Sequence, residues 1–267
     1  MRRALSYVVF LDLLFILFLA ASASFTGVLG ELIYYLAFLL PILIGVLLIY
    51  RKRDESHPLS LKLGRQDIIF TAILTAPTLA LVFLLSFVTF LILGLFFEPT
   101  EQDSSGNIFY VIFTHAFITA LLEEALFRFV PISLISPYSK RAAVLFSSLF
   151  FALAHCNLFQ LPYAFFAGCV FSVIDIACDS ILPSFIIHFL NNLISVFWQR
   201  YGTSPAFAKI YIITLVSLAL LSLVPLVLRR SEYKEKLASA FSGKGKADGY
   251  GIAPWIFTVM TLIIIYV

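Results

Sequence analysis

Six side chains could do chemistry together although each stands in an apolar run. Glu123, Glu124 and Arg128 share the run Glu-Glu-Ala-Leu-Phe-Arg; His155 closes Phe-Ala-Leu-Ala-His, which begins at Phe151; His188 and Asn192 lie in His-Phe-Leu-Asn-Asn. On a helix of 3.6 residues per turn, adjacent acids point about 100° apart. Glu124 and Arg128, at i and i+4, can pair along one face, so Glu123 is turned toward another part of the molecule. A self-neutralised pair leaves one acid without compensation, which is hard to justify structurally in an apolar medium. A carboxylate hydrogen-bonded to a histidine can take a proton from water. A second histidine and an amide N–H can hold the oxyanion of a tetrahedral intermediate. Peptide-bond hydrolysis fits this set. An acyl-enzyme route fits less well, because the pattern places no serine or cysteine. Cys156 adjoins His155, but neighbours on a helix do not face each other.

The elements that must position these groups are membrane helices. Of 267 residues, 61% are hydrophobic and 12% charged, against roughly 45–50% and about 25% in soluble domains. The run from Ile68 to Phe97 carries no charge, and 18 or more such residues are enough to cross a hydrocarbon layer about 30 Å thick. Apolar spans are expected at Ala4–Ala20, Leu29–Tyr50, Ile68–Phe97, Ile108–Ile135, Ala142–Phe159, Tyr163–Ala177, Leu182–Trp198 and Phe207–Leu228. A ninth candidate, Ile252–Val267, is short and contains Pro254. The expectation is an all-α, polytopic transmembrane bundle of eight helices, or nine if residues 252–267 also cross. Residues 1–267 read as one integral membrane domain. Either Pro77 breaks the long third span or that helix tilts. Arg2 and Arg3 before an apolar run resemble a signal peptide, but that run is long and carries Asp12, so it reads as a retained span. There is no internal repeat of the kind that inverted-repeat transporters carry.

Basic residues set the orientation. With a cytoplasmic N-terminus, the inner segments hold fifteen of the 18 Lys and Arg residues, among them Arg51, Lys52, Arg53, Lys140 and Arg141 and the stretch Arg229–Gly251. The outer loops hold Arg200 and Lys209; Arg128 lies within a span. The expected location is therefore a multi-pass position, N-terminus inside, in the plasma membrane of a prokaryote. From the inner span ends, at 1.5 Å per residue, Glu123 lies about 18 Å deep, His155 about 20 Å, and His188 and Asn192 about 9 and 15 Å. All four fall in the inner part of the membrane, and their site should open toward the cytoplasm or laterally to lipid.

Other polar residues read as structural. His115 lies outside that depth and reads as a helix contact. Asp175 and Asp179 read as a solvated helix end, Asp12 and Glu31 as a pair between the first two helices, and His57 as a loop residue. Cys156, Cys169 and Cys178 form no CxxC pair and read as small buried hydrophobes.

Together, Glu-Glu-x-x-x-Arg (Glu123, Glu124, Arg128), Phe-x-x-x-His (Phe151, His155) and His-x-x-x-Asn (His188, Asn192) resemble the signature of the CPBP intramembrane proteases. That family includes the type II CAAX prenyl endopeptidases and bacterial Abi proteins associated with bacteriocin immunity. The resemblance covers about residues 108–200, which would be a CPBP-like catalytic core. It implies that Glu123 and His155 activate water, that His188 and Asn192 stabilise the oxyanion, and that Glu124, Arg128 and Phe151 order the site. Family members are often called metalloproteases, and Glu123, His155 and His188 are suitable zinc ligands. Glutamate-dependent hydrolysis without a protein-bound metal is also proposed for them. They commonly have glycine after the arginine, where this chain has Phe129. The implied activity is cleavage of membrane-associated or CAAX-like peptides, with a peptide or membrane-protein substrate and the lipid bilayer as partners and no nucleic acid; the oligomeric state is open. The rivals are a catalytically silent membrane scaffold or immunity protein, which would not depend on Glu123 for peptide cleavage, and an ion-coupled transporter, which would show coupled uptake.

Overall fold

A computed structural model describes residues 1–98 and 106–241, and the chain is helical throughout its ordered elements. The helices are α1 (Arg2–Ala23), α2 (Gly27–Arg51), α3 (Arg65–Leu93), α4 (residues 108–135), α5 (Lys140–Ala154), α6 (Leu161–Cys178), α7 (Leu182–Tyr201), α8 (Pro205–Leu228) and α9 (Arg230–Ser239). Each of the eight expected spans is thus a helix. Five of them, α1, α2, α3, α6 and α8, are long and apolar enough to cross a membrane on their own. The ninth candidate segment, 252–267, lies outside the described residues. Leu39, Leu43, Leu84, Leu91, Leu220 and Val224 are exposed on α2, α3 and α8, the apolar exterior expected of helices whose solvent is lipid.

Local chemistry sets the helix limits. Asn107 starts α4 by accepting the N–H of Phe109 at 2.9 Å, and Ser139 starts α5 by accepting that of Ala142 at 3.2 Å; such side chains satisfy N–H groups that the first turn leaves without partners. Proline occupies the first turns of α6, α7 and α8, where a missing N–H costs nothing. Pro77 does not break α3, which runs unbroken through it.

The helix α4 departs from α-helical pitch twice. It is α-helical over Ile108–Val111, π-helical over Ile112–Ile118, α-helical over Thr119–Glu124, π-helical over Ala125–Phe129 and α-helical over Val130–Ile135. Such turns, with i→i+5 bonding, are rare and often lie at functional sites. The second one carries Arg128.

Two apolar clusters build the interior. One joins α1, α2, the second half of α4 and α5, around Phe15, Phe38, Phe127 and Phe151. The other joins α3, α6, α7, α8 and α9, around Phe70, Phe171, Ile187 and Tyr233. Between α5 and α6 the approach is close: a Cβ on Gly168 would lie 3.0 Å from Ser148 Cα. Phe129 packs against the first cluster, so the bulk that stands where glycine is common is absorbed by the core.

The connections before α3, after α4 and after α6 meet on one face. There, the His57 N–H donates to Ser133 O (2.9 Å), the Ser60 N–H to Asp179 O (3.0 Å) and the Ile181 N–H to Ser60 O (3.1 Å). Helix α9 joins them: Lys140 Nζ donates to Ser239 O at 2.8 Å, and Lys236 pairs with Asp67. At the opposite end of the bundle, Arg200 Nη1 donates to Gly106 O at 3.0 Å.

Two expectations are corrected here. Asp175 is not a solvated helix end but fully buried, and its Oδ1 accepts the N–H of Ser184 at 3.0 Å, capping the start of α7. Asp179 does lie exposed and pairs with His57 at 2.9 Å, which makes His57 a tie between connections. Asp12 and Glu31 do not pair: Asp12 is buried mid-helix in α1, whereas Glu31 is exposed in the first turns of α2. They sit at different depths.

Candidate active site

The ionisable residues of α4 and α7 meet where the two apolar clusters adjoin. Glu124 and Arg128 are buried to 1% and 0% exposure. As the i, i+4 spacing indicates, Arg128 Nε lies 3.6 Å from Glu124 Oε2. The guanidinium also stacks over the Phe151 ring, 4.1 Å from its centroid, a cation–π contact worth about 2 kcal/mol when desolvated. His188 Nδ1 lies 2.6 Å from Glu124 Oε1. An ionised carboxylate can only accept, so Nδ1 carries the proton of this bond. The other ring nitrogen, Nε2, lies 3.4 Å from Glu123 Oε2. An unbroken line therefore runs Arg128–Glu124–His188–Glu123, from full burial to a cavity.

That cavity has a volume of about 480 Å³, within the usual range for ligand sites. Glu123, Phe151, His155, His188 and Asn192 all line it, while Glu124 and Arg128 lie behind its wall. The structure thus brings every expected site residue to one place and sorts the two acids: Glu123 faces the cavity and Glu124 supports His188. His155 stands at the end of α5, one residue past the helix, with its Nδ1 2.8 Å from Phe151 O. Its ring packs edge-on against Phe151, centroids 4.7 Å apart, and Phe151 also touches the His188 ring at 5.5 Å. Phe151 is the common neighbour of Arg128, His155 and His188. Glu123 lies against His188 Nε2 at 3.4 Å, whereas the Nδ1 of His155, the histidine expected to act with Glu123, is engaged by Phe151 O of α5.

Helix α5 is shorter than the expected span 142–159. Its 15 residues cover about 22 Å at 1.5 Å per residue, less than the hydrocarbon thickness. The turn from His155 to Gln160 follows where the expected span would continue, and both of these residues line the cavity. Non-helical backbone is tolerated there when it borders a cavity. Cys156, in this turn, takes a left-handed conformation with φ 46°.

Sequence reasoning missed part of the wall. His115, set aside as a helix contact outside the site's depth, lines the same cavity, as do Tyr34, Tyr163, Ser195 and Gln199. The signal was present as rows. On α7 the polar residues His188, Asn192, Ser195 and Gln199 recur at helical spacing. On α4, Val111, His115, Thr119 and Glu123 recur every fourth residue. A four-residue row drifts about 40° per step around an α-helix; the π-helical turn at Ile112–Ile118 takes up extra residues per turn and keeps the row facing the cavity.

The fit to zinc fails on this geometry. Among the described residues no three His, Cys, Asp or Glu side chains converge as a metal-binding set. The Nδ1 atoms of His155 and His188 are engaged by Phe151 O and Glu124, which leaves Nε2 as the one nitrogen either ring could offer.

The cavity's chemistry can be set beside known families. Residues 105–194 match the family of the type II CAAX prenyl endopeptidase Rce1-like proteins. This Rce1-like segment contains Glu123, Glu124, Arg128, Phe151, His155, His188 and Asn192, and thus every site residue read from the motifs. The match and the apolar helices point to a CAAX-type intramembrane protease, a hydrolase embedded in the membrane. No curated protein and no solved structure matches the chain.

Proposed function

We propose that the chain is an intramembrane endopeptidase that hydrolyses a peptide bond of a membrane-associated substrate with water activated by Glu123. The observation that carries this reading is the line Arg128–Glu124–His188–Glu123 ending at a cavity. Glu123 takes a proton from water, and the water oxygen attacks the scissile carbonyl. His155, on the cavity wall, helps to hold that water. The oxyanion is met by His188 Nε2–H and the side-chain amide of Asn192, one helical turn away on α7. Glu124 accepts from Nδ1–H and balances the charge of the doubly protonated imidazole, and Arg128 in turn balances Glu124. As the C–N bond breaks, Glu123 returns its proton to the leaving amine, so water is consumed and Glu123 is regenerated. Eight membrane crossings, with the N-terminus and α9 on the cytoplasmic side, complete the reading. Every even-numbered connection meets at the basic face, as alternating crossings require.

A membrane-anchored reporter peptide incubated with the purified protein in bilayers tests the proposal. Wild type should cleave it. Asn192→Ala should slow turnover by about 10²–10³-fold, the usual cost of one oxyanion donor, with the KM changed far less than the kcat. Equal rates would remove α7 from the chemistry. Because the site offers no ligand set, turnover should also persist at the same rate in excess chelator. Loss of activity that zinc restores would instead assign a metal to Glu123, His155 and His188.

A further inference from the structure

We infer that the cavity takes its substrate from the extracytoplasmic side of the membrane, so that the peptide bond it fits belongs to an exported or outward-facing membrane-anchored segment. This rests on the protease reading for what is cut; where the cavity opens is independent of it. Among the described residues, every Lys and Arg except Arg128, Arg200 and Lys209 lies at the face where the even-numbered connections meet. Excess basic charge marks the cytoplasmic side. The cavity occupies the other half of the bundle. From its floor at His188, the α7 wall runs through Asn192 and Ser195 to Gln199, away from the Leu182 end that meets the basic face. On α4 it runs from Glu123 back to Val111, again away from the basic end. The α5 and α6 walls are drawn from the His155–Gln160 turn and its flanks, at the same distal end. Burial follows this direction: Phe151, Phe171 and His188 at the floor are buried, whereas His115, Ser195 and Gln199 are exposed. About 20 Å of α7 separates His188 from Tyr201, against about 9 Å from Leu182, at 1.5 Å per residue. The floor lies nearer the basic face, yet the opening is at the far one. This departs from the cytoplasmic opening that the inner depth of the residues suggests, because depth locates a floor and not a mouth.

Single cysteines read by an impermeant maleimide on intact cells, with the wild-type chain as baseline, test the sidedness. Gln199→Cys should label in intact cells, and Lys62→Cys, on the basic face, only after permeabilisation. Ser195→Cys provides a second rim position should Gln199→Cys accumulate poorly. Labelling of Lys62→Cys but not of either rim cysteine in intact cells would overturn the inference. In the same cells, a single-span reporter carrying the test peptide just outside the membrane should be cut, and one carrying it just inside should not; cleavage of the inner reporter alone would also overturn it. Rim labelling from outside with neither reporter cut would leave the access route standing and count against the protease reading.

Discussion

Glu123→Gln is expected to abolish peptide cleavage while leaving the protein folded. The two side chains are nearly equal in size, so the cavity wall and its packing are kept, but an amide cannot take a proton from water. Loss of a positioned general base costs about 10²–10⁴-fold. The fold should tolerate the change because Glu123 borders the cavity and is not the buried partner of Arg128; its side chain is 16% exposed against 1% for Glu124. Folded yield and thermal unfolding in detergent should therefore match wild type. His155→Ala should approach the same loss, and the double variant should be no worse than Glu123→Gln, since residues that act as one unit do not add. Glu124→Gln offers the contrast. A glutamine oxygen can still accept from His188 Nδ1–H, so the ring stays in place and turnover should fall less. Wild-type cleavage by Glu123→Gln, with unaltered stability, would show that this carboxylate is not the base.

The positions of the charged groups were legible in the sequence because each stands against an apolar background where a polar residue has a cost. The i, i+4 spacing of Glu124 and Arg128 was enough to pair them, and the 100° between neighbouring residues was enough to send Glu123 elsewhere. What the sequence concealed was tertiary. His188 bridges both acids, and nothing local to α7 indicates that a carboxylate of α4 stands at each of its ring nitrogens. Asp175 looked like an end-of-helix acid because it stands near the end of the expected span Tyr163–Ala177; only the return of α7 against it explains its burial, through the N–H of Ser184. His115 was discounted on depth, a criterion that assumes a small site. A cavity of about 480 Å³ extends along two helices, and its wall is better found from polar rows than from distance to the membrane surface. The pitch changes in α4 had no sequence signature of their own.

Arg128→Ala is expected to have the largest effect on stability of any change at the site. The guanidinium is fully buried, stacks on Phe151 and pairs with Glu124. Its removal leaves Glu124 and Glu123 on either side of His188 without it and opens a void beside Phe151. Breaking a buried ion pair from one side costs about 3–5 kcal/mol, because the remaining charge is not compensated. Folded yield in membranes should fall sharply and the unfolding temperature should drop, whether or not the chemistry is competent. The pairing itself is tested by a second variant. Arg128→Met fills much of the void and removes the cation; combined with Glu124→Gln it removes both charges and keeps the acceptor for His188. Replacing both partners by neutral groups is far milder than removing one, so the double variant should recover most of the stability that Arg128→Met alone loses. A double variant no more stable than Arg128→Met would show that the arginine acts through its packing on Phe151 and not through Glu124. Normal yield and melting of Arg128→Ala, with only turnover lost, would move Arg128 from support of the site into the chemistry itself.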